Sequence, residues 1–169
     1  MNYCMECGTK LQKKYLEKEG MIPFCETCHT YRFPVFSTAV SMEVLSPDRE
    51  KVLLIQQYGR DRNILVAGYI NQGENAEETV KREVMEEIGV SVSQVHFERS
   101  EYYERSNTLM LNFSCVADTE RLDNVSETEI DSCAWFPLEE AKWAVAEGSL
   151  AGKFLKAFLA GRESASESK

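Results

Sequence analysis

Four of the six cysteines in this 169-residue chain stand as two pairs, Cys4 with Cys7 in "CMEC" and Cys25 with Cys28 in "CETC", separated by residues 8–24. That spacing lies inside the C-x2-C-x15–20-C-x2-C window of zinc sites. Two such turns can bring four thiolates to the corners of a tetrahedron around Zn2+ at about 2.3 Å. Disulfides or redox-active CxxC pairs are the alternative, and a reducing cytosol disfavours them. Four sulfur ligands leave no open position for water, and a segment this short cannot bury a sufficient core without a staple, so the expected ion is structural. The intervening "TKLQKKYLEKEGMIPF" alternates apolar and charged residues around Glu19-Gly20, as a short β-ribbon would. Its Lys10, Lys13, Lys14 and Lys18 are offset by Glu6, Glu17, Glu19 and Glu26, which reads as a solvated face. Cys115 and Cys133 have no such partner and sit in strand-like runs as core thiols.

The rest of the chain has the composition of one ordinary soluble domain, with 43% hydrophobic and 28% charged residues. A formal net charge of -9 argues against a general phosphate-gripping nucleic-acid binder and suits an enzyme that uses divalent cations. No apolar run approaches a membrane span, and "MNYCMECGTK" does not resemble a signal peptide, so the expected location is the cytoplasm, with no membrane partner.

After Pro34 the pattern becomes β-rich. "VFSTAVSMEVL" and "KVLLIQQY" flank the turn signal "SPDRE", and "RNILVAG" reads as a strand leading to Gly68. A polar loop follows, then a helix expected from Ala76 to Ile88, on which Ala76, Val80, Val84 and Ile88 repeat every four residues as a buried stripe. "VSQVHFERSEYY", "TLMLNFSCVAD" and "CAWFPL" read as strands, "LEEAKWAVAEG" and "SLAGKFLKAFLAG" as helices, and "RESASESK" as a frayed end. The expected domains are a zinc ribbon over 1–33, an α/β domain with a mixed sheet between helix layers over 34–162, and a disordered tail over 163–169.

The central helix presents a physical problem. Glu83, Glu86 and Glu87 lie at i, i+3 and i, i+4 spacing, where like charges repel. Hard cations favour carboxylate oxygens, so shared Mg2+ or Mn2+ would resolve the repulsion. Arg82 stands one turn before Glu86 and can pair with it.

Gly68, Glu74, Arg82, Glu83, Val84, Glu86, Glu87, Gly89 and Val90 together satisfy G-x5-E-x7-R-E-U-x-E-E-x-G-U, where U is apolar. This resembles the Nudix box of the Nudix hydrolases. The resemblance implies a sandwich of helices around a mixed sheet, and a loop-helix-loop that binds Mg2+ or Mn2+ and hydrolyses a diphosphate linked to a nucleoside. It makes Glu86 and Glu87 metal ligands, Glu83 a ligand or general base, Glu74 a brace for the loop, and Gly68 and Gly89 positions where a Cβ would be penalised. "EIDSCAWF" is similar to the family's E-I-x-[DE]-x-x-W-F segment, which makes Glu129 a further ligand or base and Asp131 a weaker candidate.

A four-cysteine ribbon just before such a domain resembles the bacterial NADH pyrophosphatase group, whose members usually have a further domain ahead of the ribbon. That group carries S-Q-P-W-P-F-P-x-S-L-M after the box. Here the register reads "SEYYERSNTLM": Ser100, Leu109 and Met110 match, while Tyr102, Tyr103, Glu104, Arg105 and Ser106 replace the P-W-P-F-P core. Tyr102 and Tyr103 can stack on a ring and Arg105 can meet a phosphate, or all three can be strand surface. The expected substrate is a nucleoside-diphosphate compound such as NAD(H), ADP-ribose or FAD. A capped RNA end and a homodimer are left open. A nucleotide-sensing or protein- or RNA-binding module built on the same fold is the alternative to an enzyme.

Overall fold

The computed structural model describes residues 2–167, and the chain divides into two compact units at Phe36–Ser37, slightly beyond the expected 33/34 boundary. The first unit is a three-stranded antiparallel sheet of β1 (Gln12–Leu16), β2 (Gly20–Cys25) and β3 (Thr30–Tyr31). Leu16 faces Gly20 across the hairpin, and both Lys18 (φ 71°) and Gly20 (φ 79°) adopt the left-handed conformation that turns the chain. The first cysteine pair forms its own tight turn, closed by Cys4 N donating to Thr9 O at 2.8 Å and Gly8 N donating to Cys4 O at 2.9 Å. Arg32 donates to both Glu6 carboxylate oxygens, at 3.1 and 2.6 Å, and Lys14 lies 4.1 Å from the Phe24 ring centroid.

The second unit is built on β4 (Ser37–Leu45), β5 (Lys51–Gln56), β6 (Val66–Tyr69), β7 (Val92–Tyr103), β8 (Thr108–Ala117) and β9 (Ser132–Pro137). The strand order is β7-β8-β4-β5-β9, with β6 pairing the first half of β4. Of these strands only β4 and β8 pair in parallel, so the sheet is mixed. Side chains alternate across a strand, so each strand feeds two layers. Val40, Met42 and Val44 of β4 join Phe113 and Cys115 of β8 beneath α1 (Ala76–Ile88), whose Val80, Val84 and Ile88 are fully buried there. Each buried aliphatic side chain contributes about 1.5–3 kcal/mol. Leu45, Val52, Leu54 and Val116 face the other way, against α2 (Leu138–Ala144) and α3 (Leu150–Glu167). The result is the expected α/β/α sandwich.

Local chemistry sets the ends of α1. The Asn75 side chain accepts from Glu78 N at 2.8 Å, Glu77 and Glu78 complement the first turn, and Gly89 at φ 76° ends the helix in the left-handed conformation. At the C-terminus the expectation needs correction. The segment expected to be a disordered tail from 163 continues α3 as far as Glu167, because Glu and Ala propagate a helix already packed through Phe154, Leu155 and Phe158. Residues 168–169 lie outside the described residues. No helix among the described residues is long and apolar enough to cross a membrane.

One buried group in this sheet departs from the apolar pattern. Glu43 on β4 is fully buried, and burial pushes its carboxyl up to about 8, against the opposing hydrogen bonds that Asn112 Nδ2 donates to Oε1 at 3.2 Å and Oε2 at 3.1 Å. Its folded value thus lies above its unfolded one. The associated stability is fully present below the unfolded carboxylate range and is lost as pH rises towards 8. Glu43→Gln should therefore unfold at nearly the parent's denaturant concentration at pH 5, yet gain on the order of a few kcal/mol over the parent at pH 8. Equal differences at the two pH values would contradict this account.

Candidate metal and diphosphate site

Helix α1 carries its acids on the flank that faces an open cavity of about 460 Å3, whose wall includes Gly68, Tyr69, Asn71, Arg82, Glu83, Glu86, Glu87 and Glu129. Gly68, Arg82, Glu83, Glu86 and Glu87 of the box thus meet Glu129, far away in sequence, on one surface. Arg82 is the hub. Its Nε and Nη2 donate to Glu74 Oε1 and Oε2 at 2.6 and 2.9 Å, its Nη1 donates to Glu83 Oε1 and Glu86 Oε2 at 2.8 Å each, and Nη2 also reaches Tyr69 O at 3.1 Å. The i, i+4 pair expected from the helix is present, but the two-pronged contact with Glu74 is the closer match to a planar guanidinium.

Glu74 also accepts from Asn71 N at 3.0 Å and Thr79 Oγ1 at 3.1 Å, which ties the polar loop to the first turn of α1. The Arg82 guanidinium beside it holds its carboxyl down at about 2. Glu83 and Glu87 move the other way, both chiefly because burial disfavours their charge; Glu87, pressed further by the charges of Glu83 and Glu129, reaches about 8. Glu87 is 6% exposed, its Oε1 accepts from Gln57 Nε2 at 3.3 Å, and its Oε2 is buried with no hydrogen-bond partner. A buried oxygen without a donor, on a residue that shares its cavity wall with Glu83, Glu86 and Glu129, marks a place a divalent cation fits, since hard cations take carboxylate oxygens. Glu83, Glu86, Glu87 and Glu129 are the residues that would hold it.

Gly68 has a reason other than backbone freedom. Its φ is unexceptional, but a Cβ built there would lie 1.9 Å from Glu83 Cδ, so the strand must be bare for the carboxylate to lie against it. Gly89 does need its left-handed φ, and a Cβ there would also meet Asn124 at 2.6 Å.

The other candidates are placed elsewhere. Tyr102, Tyr103 and Arg105 do not reach the wall of the acidic cavity. Tyr102 Oη donates to Asn107 Oδ1 at 2.5 Å, Tyr103 lines a separate cleft with Glu101 and Lys153, and Arg105 lies in a 3-10 turn over Glu104–Ser106. Asp131 accepts from Gly59 N at 2.7 Å and closes the loop after β5. Sequence reasoning missed that loop, where Gln57 touches Glu87 and Tyr58, 81% exposed at φ 60°, stands on the cavity wall. Nothing in the local pattern of "QQYGRD" signals it.

In the first unit, Cys4, Cys7, Cys25 and Cys28 bring their sulfurs within 4.8 Å of one another, with Cys4–Cys28 at 3.9 Å and Cys7–Cys25 at 3.5 Å. Tetrahedral Zn–S bonds of about 2.3 Å place sulfurs about 3.8 Å apart, so the set fits one zinc ion. Cys115 is buried in the sheet core and Cys133 is packed against it, as thiols.

Sheet order, acidic helix and glycine-lined strand together define an α/β/α domain that gathers carboxylates at one open cavity. The NUDIX domain family matches residues 36–158, and the chain belongs to that family. It is 30% identical over 167 residues to the NAD-capped RNA hydrolase NudC of Pseudomonas aeruginosa, covering 98% of this chain and 58% of that protein. It is 25% identical over 163 residues to the protein of the same name from Vibrio cholerae, covering 95% of this chain and 58% of that one. The chain thus spans little more than half the length of these curated relatives. Its fold is similar to the crystal structure of a NUDIX hydrolase from Nitrosomonas europaea, with a TM-score of 0.68, 19% identity, and coverage of 94% of this chain and 88% of the other.

Proposed function

We propose that this protein is a metal-dependent Nudix hydrolase that cleaves the diphosphate linkage of a nucleoside-diphosphate compound such as NAD(H), ADP-ribose or FAD. The observation that carries the reading is the convergence of Glu83, Glu86, Glu87 and Glu129 on one cavity, with the buried Oε2 of Glu87 lacking a donor. A bound Mg2+ or Mn2+ would neutralise diphosphate charge and lower the pKa of the attacking water. Arg82 holds Glu83 and Glu86 in place through one nitrogen and fixes the loop through Glu74 with the others. Glu83 or Glu129 is then the carboxylate available to accept a proton from the water. A capped RNA end, the substrate class in the names of the curated relatives, has the same linkage and belongs in the test.

The segment in register with P-W-P-F-P contains Tyr102, Tyr103 and Arg105, so a preformed apolar pocket of that kind is replaced. Losing such a pocket costs about 1–3 kcal/mol of discrimination, or roughly 10- to 200-fold. Selectivity for NADH should therefore be weak. The test is kcat/KM for NADH, NAD, ADP-ribose, FAD and an NAD-capped RNA with Mg2+ or Mn2+, with products identified by mass. Cleavage at the diphosphate of at least one compound is expected. No turnover of any of them would sink the reading, and an NADH preference above about a hundredfold would sink the claim of weak selectivity.

A further inference from the structure

A separate cleft lies wholly within the ribbon. Its volume is about 290 Å3, and its wall includes Tyr3, Lys10, Lys13 and Pro23. Tyr3 faces Lys10 in an antiparallel bridge, beside which Leu11 N donates to Asn2 O at 2.9 Å, and Lys13 faces Pro23 in the β1–β2 ladder. Residues directly opposite on antiparallel strands set their side chains side by side on one face. Each lysine of the wall therefore stands next to a ring.

The charge here is unlike that of the whole chain. Residues 1–36 carry five lysines and arginines against four glutamates, so the deficit of -9 belongs to the second unit. Counted along the sequence, Glu6, Glu17, Glu19 and Glu26 offset the ribbon's lysines, yet among the described residues none of these acids is on the cleft wall. Glu6 is spent on Arg32 at 2.6 Å, and no ion pair among the described residues involves Lys10 or Lys13. An anion that enters the cleft thus meets two ammonium groups without displacing a carboxylate.

The aromatic surface continues past the cleft. Tyr3 is 60% exposed and Tyr15 68%. Tyr15 stands two residues beyond Lys13 on β1, so it shares that face at a distance of about 7 Å, and it pairs with the exposed Met21. Exposed rings that flank lysines suit a chain whose unpaired bases stack while its phosphates meet cations. Lysine serves a phosphate as a point charge and demands no fixed geometry. The cleft is at the small end of ligand cavities, about 300 Å3, which takes one ring; bases stacked inside a duplex have no face to offer it. An acidic peptide would satisfy the lysines and leave both tyrosine rings without a flat partner.

We infer that this face of the ribbon binds a single strand of nucleic acid, with a base on Tyr3, phosphates at Lys10 and Lys13, and a further base on Tyr15. The inference goes beyond the diphosphatase reading and does not depend on it. Its test is fluorescence anisotropy of the full chain with an oligouridylate of about ten nucleotides. The oligonucleotide has a 5′-hydroxyl end and no added Mg2+ or Mn2+, so it offers the acidic cavity no diphosphate. A Kd on the order of 10−4 M or tighter is expected at low salt. Tyr3→Ala should weaken binding at least about fivefold, whereas Tyr3→Phe, which keeps the ring, should stay close to the parent. Lys10→Gln with Lys13→Gln should flatten the dependence of log K on log salt by about 1.4, which a merely structural role would not do. All three positions are exposed, zinc content reports that the ribbon is intact, and the salt dependence decides the matter should Tyr3→Ala lose zinc. Oligothymidylate should bind comparably, since neither contact reads the sugar. Absence of binding, unchanged affinity in zinc-loaded Tyr3→Ala, or an unchanged salt slope in the lysine variant would each overturn the inference. So would equal binding of an oligoglutamate of matched charge, which would make the face a site for acidic peptides.

Discussion

Glu87→Gln is expected to lower turnover by at least a hundredfold while leaving the protein folded. Glutamine keeps the shape of the side chain and the Oε1 contact with Gln57, but it replaces the unpartnered Oε2 with a neutral group that is a poor ligand for a hard cation. Changes to groups that merely orient ligands typically cost about 10- to 100-fold, and a direct ligand should cost no less. Glu86→Gln should act in the same direction and also releases one carboxylate from Arg82 Nη1. The check is single-turnover kinetics on the best substrate over a range of Mg2+ and Mn2+ concentrations, beside thermal unfolding of each variant. Near-parent rates in both variants would remove these carboxylates from the reaction; lost activity accompanied by unfolding would mean that their role is structural.

The second large effect concerns the ribbon. Protein purified without added metal should contain about one zinc per chain, and Cys25→Ser should lose it together with the amide dispersion of residues in β1, β2 and β3. Cys25 is fully buried at the end of β2, and its Sγ also accepts from Cys28 N at 3.4 Å, so its loss removes both a metal ligand and the turn that presents the second pair. Without a metal Cys4 and Cys28 are ill matched: the backbone N–H of Cys7 draws Cys4 down to about 6, whereas Cys28, sharing its proton with the Cys7 sulfur, is pushed up to about 12. A cation that takes all four as thiolates removes that conflict. Among the described residues, the apolar clusters beneath α1 and α3 are built from the second unit alone, so its unfolding should be little changed. A folded, zinc-free ribbon, or a Cys4–Cys7 disulfide in protein kept reduced, would refute the assignment.

Much of this architecture is local and therefore legible. The cysteine spacing determined where the two knuckles lie, because a CxxC turn is closed within itself. The four-residue repeat of Val80, Val84 and Ile88, begun by an Asn cap and ended by a left-handed Gly, determined both the extent of α1 and its buried side. Once that face was assigned, Glu86 had to lie away from it, Glu83 and Glu87 had to lie along its margin, and Arg82 had to come within reach of Glu86. The strand pattern likewise determined two layers, since side chains alternate.

Only the tertiary structure decided what lies opposite that acidic flank. Glu74 joins Glu83 and Glu86 on Arg82 because loop closure, not sequence separation, sets its approach. Gly68 is required by contact with Glu83 from another element, which no reading of its own neighbourhood reveals. Glu129 joins the cavity and Asp131, two residues on, does not, because the loop turns one carboxylate inward and spends the other on Gly59 N. Tyr102, Tyr103 and Arg105 kept their sequence register but lie away from the cavity wall, whereas Gln57 and Tyr58, with no motif to mark them, lie beside Glu87 and on that wall. The physical reason is the same in each case. Periodicity and caps depend on hydrogen bonds a few residues apart, while a site depends on which elements the packed sheet and helices bring together, and that is settled by burial of the whole core.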